Sequence, residues 1–316
     1  MVTASYKAAT ESSALVEKDW CGLIKLTGGD RVSWLQGMVT NDVAKLKPGT
    51  GCYAAHLTPQ GKIVAHMQIL FDEDALWLSL ERSAIQPLIT AFDRLLIMED
   101  VQVANASDEY SVLGLFGPKA SEVLEAWLGE PLNLTQRYSH RTLEQCRIVM
   151  SDLGYDIWVP RTQVDNIVRS IVQTGATAVD HGTFEVVRTE AGLPVYGVDI
   201  DETTTMPELG EAGISYDKGC YIGQEVVAKV KYIGHVNRRF VGLVFANDVL
   251  PEAKSPIRKG GREVGYVTTS LFSPRLNKPI ALGFVSRGAY APGNEVEVGT
   301  ETARIVELPF TNSSRS

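Results

Sequence analysis

The same short pattern occurs twice in this amino-acid sequence: an apolar run typical of a strand, a turn that contains glycine, and then a helix. The first copy is residues 22–38 (GLIKLTGGDRVSWLQGM), and the second is residues 112–128 (VLGLFGPKASEVLEAWL). Asp30 suits the N-cap of the first helix, and Pro118 stands where the first turn of the second helix tolerates proline. A chain that repeats a strand-to-helix junction in this way is constrained to a duplicated fold of strands and helices.

A second pair of segments repeats 79 residues apart. Starting at Ile85 and at Val164, apolar residues fall at positions i, i+3, i+4 and i+7, which is the spacing of a helix that lies on a sheet. Each helix follows a strand-like run, at residues 75–80 and 155–159, and precedes a short β-branched segment. We therefore predict an α+β fold with two related ferredoxin-like units, each with its helices on one face of an antiparallel sheet.

The chain changes character after Asn237, because no helical period continues beyond this residue. Glycine and proline there separate short apolar runs such as FVGLVF (residues 240–245) and IALGFV (residues 280–285). These runs predict a C-terminal β-barrel, which serves either as a structural cap or as part of a site. The predicted division of the chain is a first α+β unit at residues 18–108, a second at 109–198, a connecting segment at 199–236 and the barrel at 237–313.

Length and charge limit the function classes. The 316 residues are enough for two or three domains, and 44% hydrophobic with 22% charged residues is the composition of a globular protein. A formal net charge of −8 disfavours a protein that coats DNA or an anionic membrane. No apolar stretch is as long as a membrane span, and the first twenty residues have neither a basic leader nor an apolar h-region. We therefore expect a cytoplasmic protein that acts on neither DNA nor membranes.

The cysteines are too far apart in sequence for a disulfide framework or a paired metal grip, with separations of 31, 94 and 74 positions. His56 and His66 have no carboxylate at ligand spacing, so we expect structural roles for both. The sequence therefore predicts no metal site, and any special cysteine must act alone. The four cysteines are Cys21, Cys52, Cys146 and Cys220.

The connecting segment is polarised in charge. Residues 199–211 have a charge of −5, whereas residues 218–239 have a charge of +4. In a protein that is acidic overall, this basic run predicts attraction of an anionic ligand. The alternative is a solvated basic face that pairs with its acidic neighbour.

The densest local signal is KGCYIGQE at residues 218–225. Two glycines bracket the thiol of Cys220, which permits an exposed tight turn, and the residues after Gly223 are good helix formers. A helix N-terminus and the nearby Lys218 both favour the thiolate, so this pattern predicts a reactive Cys220. The alternative is an inert thiol that fills a turn.

The run KGCYIGQE resembles the signature K-G-C-[YF]-x-G-Q-E of the YgfZ-type folate-binding proteins, which are related to the T-protein (aminomethyltransferase) of the glycine cleavage system. The resemblance covers about residues 18–287 and includes further motifs in the family's order. These motifs are Trp20 followed by Thr27-Gly28-x-Asp30, LQGxVTND at residues 35–42, TPxGK at residues 58–62, EAGLP at residues 190–194, GIS at residues 213–215, and residues 228–239.

The resemblance implies a T-protein-like ring of three domains, two related α+β units and a β-barrel, that binds tetrahydrofolate or a one-carbon derivative. Folate recognition needs aromatic surfaces against the pterin, a carboxylate for its amino-pyrimidine edge and cations for its glutamyl tail. By position in the motifs, the resemblance assigns the aromatic walls to Trp20 and Phe184, the pterin carboxylate to Glu190, and a tail contact to Arg238 or Arg239. Each residue also has a structural alternative in core packing, turn capping or solvation. Around the functional thiol of Cys220 and its neighbour Lys218, the motif loop would consist of Gly219, Tyr221, Gly223, Gln224 and Glu225.

One departure from the T-protein bears on activity. That family has an Asp-Asp pair, tied to methylene transfer, where this chain has Ala65 and His66, and T-proteins lack the cysteine of KGCYIGQE. The resemblance therefore implies an accessory protein that supports assembly or repair of iron–sulfur clusters, with client enzymes, including tRNA-modifying enzymes, or assembly factors as partners. One alternative is an enzyme, a folate-dependent aminomethyltransferase or other one-carbon transferase. Another is a tRNA-binding module, which rests on the basic run at residues 218–239.

Overall fold

The computed structural model of this protein describes residues 3–143, 146–232 and 234–310. These residues form two compact units. The unit that we call the sheet unit contains residues 3–183 and 212–224, and the unit that we call the barrel unit contains residues 184–211 and 225–310. The four-part division proposed from the sequence uses other boundaries and stays a prediction. In the described ranges, no helix is both long enough and apolar enough to cross a membrane.

The sheet unit begins with α1 (Ala4–Glu11) and β1 (Ala14–Glu17), and a first sheet follows. The next elements are β2 (Cys21–Thr27), α2 (Arg31–Met38), a short 3-10 helix (Val43–Lys45), β3 (Thr50–Leu57), β4 (Ile63–Phe71), β5 (Leu76–Glu81), α3 (Arg82–Asp93) and β6 (Gln102–Asn105). The five strands pair antiparallel in the order β3-β4-β5-β2-β6. Both helices are connections between strands of the same sheet, as the split β-α-β pattern predicts.

A second sheet repeats this plan with one insertion. Its elements are β7 (Tyr110–Phe116), α4 (Ala120–Leu128), β8 (His140–Leu143), β9 (Cys146–Met150), β10 (Gly154–Pro160), a short 3-10 helix (Arg161–Gln163), α5 (Val164–Gln173) and β11 (Thr177–Ala178). The strand order is β11-β1-β7-β10-β9-β8, which matches the first sheet except that β1 lies between β7 and β11. β1 pairs parallel with β11 and antiparallel with β7. The duplication predicted from the sequence is confirmed, whereas the insertion of β1 was not predicted.

The two sheets pack against each other and have helices on other faces. Between the sheets, the rings of Trp77 on β5 and Trp158 on β10 meet with centroids 5.8 Å apart in a T-shaped arrangement, within a core of apolar residues from both sheets. α3 packs on the first sheet, and the buried residues of α5 are Ile167 and Ile171, as their helical spacing predicts. The start of one helix was predicted wrongly. α4 begins at Ala120, so Pro118 precedes the helix rather than occupying its first turn.

The barrel unit contains the closed β-barrel predicted from the glycine- and proline-punctuated runs. Its strands are β12 (Arg238–Phe245), β13 (Pro256–Lys259), β14 (Arg262–Ser273), β15 (Lys278–Ser286), β16 (Glu295–Val298) and β17 (Glu301–Val306), closed in the order β12-β15-β14-β13-β16-β17. Alternate residues fill the interior, for example Val241, Leu243 and Phe245 of β12. Between the second sheet and the barrel, the described residues form α6 (His181–Glu190), α7 (Met206–Leu209) and α8 (Gln224–Tyr232). The α+β class with a C-terminal barrel is thereby confirmed.

Candidate functional site

The ammonium group of Lys218 joins two sequence motifs within the sheet unit. Its Nζ donates hydrogen bonds to the backbone carbonyls of Gln36 and Val39 at 2.6 Å each, and to that of Asn41 at 2.8 Å. These carbonyls lie at and just beyond the C-terminal end of α2, where backbone acceptors lack helical partners and the helix dipole favours a cation. Lys218 therefore caps α2 and fixes the KGCYIGQE loop to the LQGxVTND segment.

Further hydrogen bonds hold the same loop on both sides of Cys220. Before the cysteine, Thr40 donates from Oγ1 to the carbonyl of Gly213 at 2.6 Å. After it, the N–H of Ile222 donates to the carbonyl of Gly37 at 3.3 Å. Gly223 has φ of +83°, and a Cβ at this position would lie 2.6 Å from the carbonyl oxygen of Thr58. Three motifs that are distant in sequence, at residues 35–42, 58–62 and 213–225, thus meet around one loop, and only glycine fits at position 223.

Burial changes the electrostatics of Lys218 in a way that the sequence did not predict. Burial lowers the pKa of Lys218 to about 8, so the amine is still largely protonated at neutral pH. All three N–H donors of the ammonium group are occupied by the three carbonyls. The contacts therefore support a positioning role for Lys218, and its predicted effect on the thiol of Cys220 stays a prediction.

Cys220 is the exposed member of the four cysteines, all of which are free thiols. Burial raises the pKa of both Cys21 and Cys52 to about 12, which makes their thiolates scarce at neutral pH. α8 begins at Gln224, four positions after Cys220, so the thiol precedes the first helical turn rather than lying within it. Cys220 is thus an accessible thiol on a loop whose two ends are fixed.

Ala65 and His66, which the resemblance sets at the position of the T-protein's Asp-Asp pair, lie on β4. Ala65 is fully buried, so no polar group is available there. Nδ1 of His66 lies 2.7 Å from the hydroxyl of Tyr53, and its Nε2 lies 3.3 Å from Oε2 of Glu81. Burial raises the pKa of Tyr53 well above its ordinary range, so the phenol stays protonated and can donate to the imidazole. The chain therefore has an imidazole that is hydrogen-bonded to a phenol and lies near a carboxylate at this position.

His56, the other histidine of this region, is buried and contacts the backbone. Its Nδ1 lies 2.7 Å from the carbonyl oxygen of Met38, and burial lowers its pKa, so the neutral form is favoured. Among the described residues, no group of three or more His, Cys, Asp or Glu side chains is arranged to hold a metal ion.

Glu190 and Phe184, two predicted folate contacts, lie on α6 and are buried in the barrel unit. Glu190 is 5% exposed, and its Oε1 accepts a hydrogen bond from Oγ of Ser273 at 2.5 Å. Ser273 accepts in turn from the backbone N–H of Leu276 at 3.1 Å, which directs the serine proton towards the carboxylate. The Glu190 side chain is therefore held in one orientation at the C-terminal end of β14.

A buried ionic network beside Glu190 was missed by the sequence reasoning. The guanidinium of Arg188 is 2% exposed and donates to Oδ2 of Asp199 at 2.7 Å and to Glu185 at 2.6 Å. Oδ1 of Asp199 accepts from the hydroxyls of Thr268 and Thr269, at 2.6 and 2.7 Å. The network joins α6 to the part of β14 where the pairing register with β15 shifts. One signal was present in the sequence, since Arg188 stands one helical turn after the apolar Phe184 and hence on the same face.

The side chains of the remaining predicted site residues differ in their exposure and in their partners. Trp20, partly exposed in the sheet unit, meets the His181 ring edge-on with centroids 4.3 Å apart. Arg238 is engaged inside the barrel unit, where its guanidinium bonds Glu208 at 3.0 Å and the hydroxyl of Tyr266 at 3.1 Å. Arg239, by contrast, is exposed. Of the two arginines predicted for a tail contact, Arg239 is the more available to an anion.

The basic run at residues 218–239 is partly neutralised by the acidic run before it. Lys231 pairs with Glu211 at 2.5 Å, and Arg238 pairs with Glu208. These pairs agree with the alternative in which the basic run serves as a solvated face beside acidic neighbours, and they reduce the charge available to a polyanion such as tRNA.

Comparisons with known proteins place this geometry in context. Residues 1–215 match the family model described as the GCVT N-terminal domain, and residues 238–312 match the glycine cleavage T-protein C-terminal barrel domain. An aminomethyltransferase of Symbiobacterium thermophilum is 29% identical over 99% of this chain and 90% of its own length. One of Thermoanaerobacter sp. is 26% identical over 94% of this chain and 84% of its own length.

Among solved structures, the crystal structure of the glycine cleavage system aminomethyltransferase T from Bartonella henselae superimposes with a TM-score of 0.90. The match covers 98% of this chain and 89% of that protein, at 22% sequence identity. At this level of identity the likeness establishes the fold, which is the T-protein fold with two sheets and a closed six-stranded barrel.

Proposed function

This chain belongs to the glycine cleavage T-protein family, and from that premise we propose that it binds tetrahydrofolate or a one-carbon derivative. We further propose that it belongs to the YgfZ-type branch and supports assembly or repair of iron–sulfur clusters in client enzymes, including enzymes that modify tRNA. Cys220 is its functional thiol. The proposal has two parts, ligand and task, and each has separate support.

The ligand part is supported by the chemistry of the available side chains. A pterin presents N–H donors on its amino-pyrimidine edge, which a fixed carboxylate accepts well, and Glu190 is held in place by Ser273. A partly exposed ring at Trp20 offers an apolar surface, and exposed Arg239 offers a cation for glutamyl carboxylates. Each of these groups has the chemistry that one part of a reduced folate requires. When bound, this ligand supplies the capacity to hold a one-carbon unit.

The ligand part is tested by titrating the purified chain with tetrahydrofolate and following tryptophan fluorescence. We expect saturable binding in the micromolar range, weakened at least tenfold by Glu190→Ala and by Trp20→Ala, because each substitution removes one recognition group. Arg275→Ala is a matched control on the barrel unit, outside the predicted ligand set. Absence of any binding by the parent protein would remove this part of the proposal.

The observation on which the task depends is the pair at Ala65 and His66. A buried methyl group and an imidazole bonded by Tyr53 stand where methylene transfer uses a carboxylate, while an accessible thiol stands on an anchored loop. This combination supports a role for the Cys220 thiol that does not need the T-protein reaction. Lys218 keeps the loop in place, and a Cβ built at Gly219 would meet no atom within 4 Å outside residues 218–220.

The task is tested in cells that lack their own copy of this protein, with the activity of an iron–sulfur client enzyme as the readout. Cys220→Ala and Cys220→Ser are both expected to lose support for the client while keeping the melting temperature and tetrahydrofolate binding of the parent. The serine variant is the sharper one, because it keeps the shape of the side chain and replaces only the sulfur with oxygen. Full client activity with Cys220→Ser would exclude a functional thiol.

A second candidate function is folate-dependent aminomethyl transfer. It is favoured by the names of the relatives, which are aminomethyltransferases matched along 84% and 90% of their own lengths. Turnover of methylene-tetrahydrofolate with an aminomethyl donor by the purified parent protein would support it. If the parent is inactive and a variant with Ala65→Asp and His66→Asp gains turnover, the missing carboxylates are the reason, and the first proposal is strengthened.

A further inference from the structure

The loop between α3 and β6 presents two large apolar side chains to solvent. Ile97 is 84% exposed and Met98 is 91% exposed, and they are the two most exposed large apolar side chains among the described residues. They are adjacent in sequence and stand at the tip of residues 94–101. Burial of such side chains is favourable, so a pair left this open has a cost that a structural role does not explain.

The tip is held rigid although it is exposed. Oε2 of Glu99 accepts hydrogen bonds from the backbone N–H of Ile97 at 3.0 Å and from that of Met98 at 3.1 Å. These bonds hold the pKa of the Glu99 carboxyl below its ordinary value. The side chain of one residue thus fixes the backbone of both apolar residues, in a local motif that orders an otherwise free loop.

The base of the loop is fixed to the turn before α2. The N–H of Asp100 donates to Oδ2 of Asp30 at 2.8 Å, and the N–H of Gly29 donates to Oδ2 of Asp100 at 2.8 Å. Gly28 has φ of +103°, and a Cβ there would lie 2.1 Å from the carbonyl oxygen of Asp100. The two segments therefore approach as closely as their backbones allow, and the apolar pair is presented on a preorganised support.

The surroundings of the tip are acidic. Three exposed carboxylates lie on the loop or on the turn bonded to it, and a fourth, Asp93, ends α3 just before the loop. The cations nearest in sequence are exposed Arg94 and half-buried Arg31. A negative surround disfavours approach to an anionic membrane and favours a partner with basic side chains. The four carboxylates belong to Asp30, Asp93, Glu99 and Asp100.

We propose that Ile97 and Met98 are the anchors of a docking site for a folded protein partner that presents an apolar pocket bordered by Lys or Arg side chains. Interfaces are dominated by a few apolar anchors in fitted pockets, and a preordered loop reduces the entropy lost on binding. The acidic surround supplies charge complementarity and steers association. Neither the thiol of Cys220 nor the ligand proposed above is needed to infer this docking site.

The test uses the full chain with a photo-reactive benzophenone amino acid in place of Met98, and a matched probe in place of Leu250, which is 47% exposed on the barrel unit. After illumination in cells, we expect a protein adduct at position 98 that is absent at position 250. The captured protein is then purified, and its affinity is measured for the parent and for Ile97→Asp/Met98→Asp. We expect at least tenfold weaker binding to the double variant, and weaker binding to the parent as salt concentration rises.

Several outcomes overturn the proposal. Equal adducts at both positions, no adduct at position 98, or unchanged affinity of the double variant would each do so. An adduct with twice the mass of the chain, together with self-association lost in the double variant, would identify a second copy as the occupant. Binding of the parent to neutral phosphatidylcholine vesicles, lost in the double variant, would identify a lipid surface instead.

Discussion

The sheet unit and the barrel unit each contain a buried cation beside a predicted site residue, but the two cations have different partners. In the sheet unit, Lys218 donates to three neutral carbonyls at 2.6–2.8 Å. In the barrel unit, Arg188 lies against the carboxylates of Asp199 and Glu185. Carbonyls offset only part of the cost of burying charge, whereas carboxylates neutralise it, so breaking the second arrangement leaves a worse defect.

The two cations also hold different kinds of group in place. Lys218 fixes a loop whose cysteine is exposed, while Arg188 lies two residues from Glu190, which is buried and bonded to Ser273. An accessible thiol needs an anchored loop with an open middle, and a recognition carboxylate needs a rigid surround. Under the proposed function, this difference suits fixed recognition in the barrel unit and access to the thiol in the sheet unit.

The largest expected effect comes from Arg188→Leu. It leaves the Asp199 carboxylate, whose side chain is 0% exposed, without its cation. We expect the free energy of unfolding to fall by about 3–5 kcal/mol, measured by urea unfolding. Arg239→Leu, an exposed arginine of the same unit, should change it by less than about 0.5 kcal/mol. A loss no larger than that of the control would contradict the role given to this network.

Lys218→Met should have a smaller effect than Arg188→Leu. It removes the donor shared by the carbonyls of Gln36, Val39 and Asn41, and these neutral groups leave a milder defect than an unpaired carboxylate. We expect a loss of about 1–3 kcal/mol in the free energy of unfolding and faster hydrogen exchange in residues 213–223. Lys229→Met, at an exposed lysine, is the control. Equal losses for Lys218→Met and Arg188→Leu would erase the contrast between the two cations.

Two glycine substitutions compare the fixed end of the loop with its open middle. Gly223→Ala forces a Cβ to within 2.6 Å of the Thr58 carbonyl at a φ of +83°, and we expect a loss of about 1–2 kcal/mol. The Cβ of Gly219→Ala would meet no atom within 4 Å outside residues 218–220, so thermal unfolding should show a change below about 0.5 kcal/mol. If Gly219→Ala were the more damaging of the two, the loop would not be open beside Cys220.

The last prediction involves no substitution and measures access to the thiols directly, through their rates of alkylation. At pH 8, iodoacetamide should modify Cys220 at least tenfold faster than Cys21 or Cys52, because burial raises the pKa of the latter two to about 12. Mass spectrometry of peptides from the native protein gives the order of modification, and denatured protein serves as the control for intrinsic reactivity. Similar native rates for all three thiols would contradict the assignment of Cys220 as the accessible one.

Local patterns in the sequence predicted a large part of the fold. The repeated strand-to-helix junction, the helical spacing from Ile85 and Val164, and the punctuated runs after Asn237 correspond to the two sheets, their helices and the barrel. Such patterns depend on neighbours within one or two turns or a single strand, which is why they are legible in one chain. The start of α4 was misplaced because Pro118 also suits the turn that precedes a helix.

The candidate site was only partly predictable. The sequence pattern named Cys220 and Lys218, and the family resemblance named Glu190, and these assignments stay predictions. The sequence did not foresee the carbonyl partners of Lys218 or the ion pairs of Arg188. Lys218 reaches carbonyls 177 to 182 positions away, and Asp199 accepts from Thr268 across 69 positions. No local periodicity reports partners at such separations, so a basic residue in a motif loop cannot be distinguished from a free cation by sequence alone.

By itself, the sequence determined the duplication, the class of fold and the identity of the residues available for chemistry, because side-chain period and turn residues are local properties. Only the tertiary structure decided that β1 enters the second sheet, that Lys218 faces carbonyls rather than solvent, that Arg238 is engaged and Arg239 exposed, and that Ile97 and Met98 remain uncovered. The physical reason is that burial and hydrogen-bond partners depend on segments that meet only once the chain has folded.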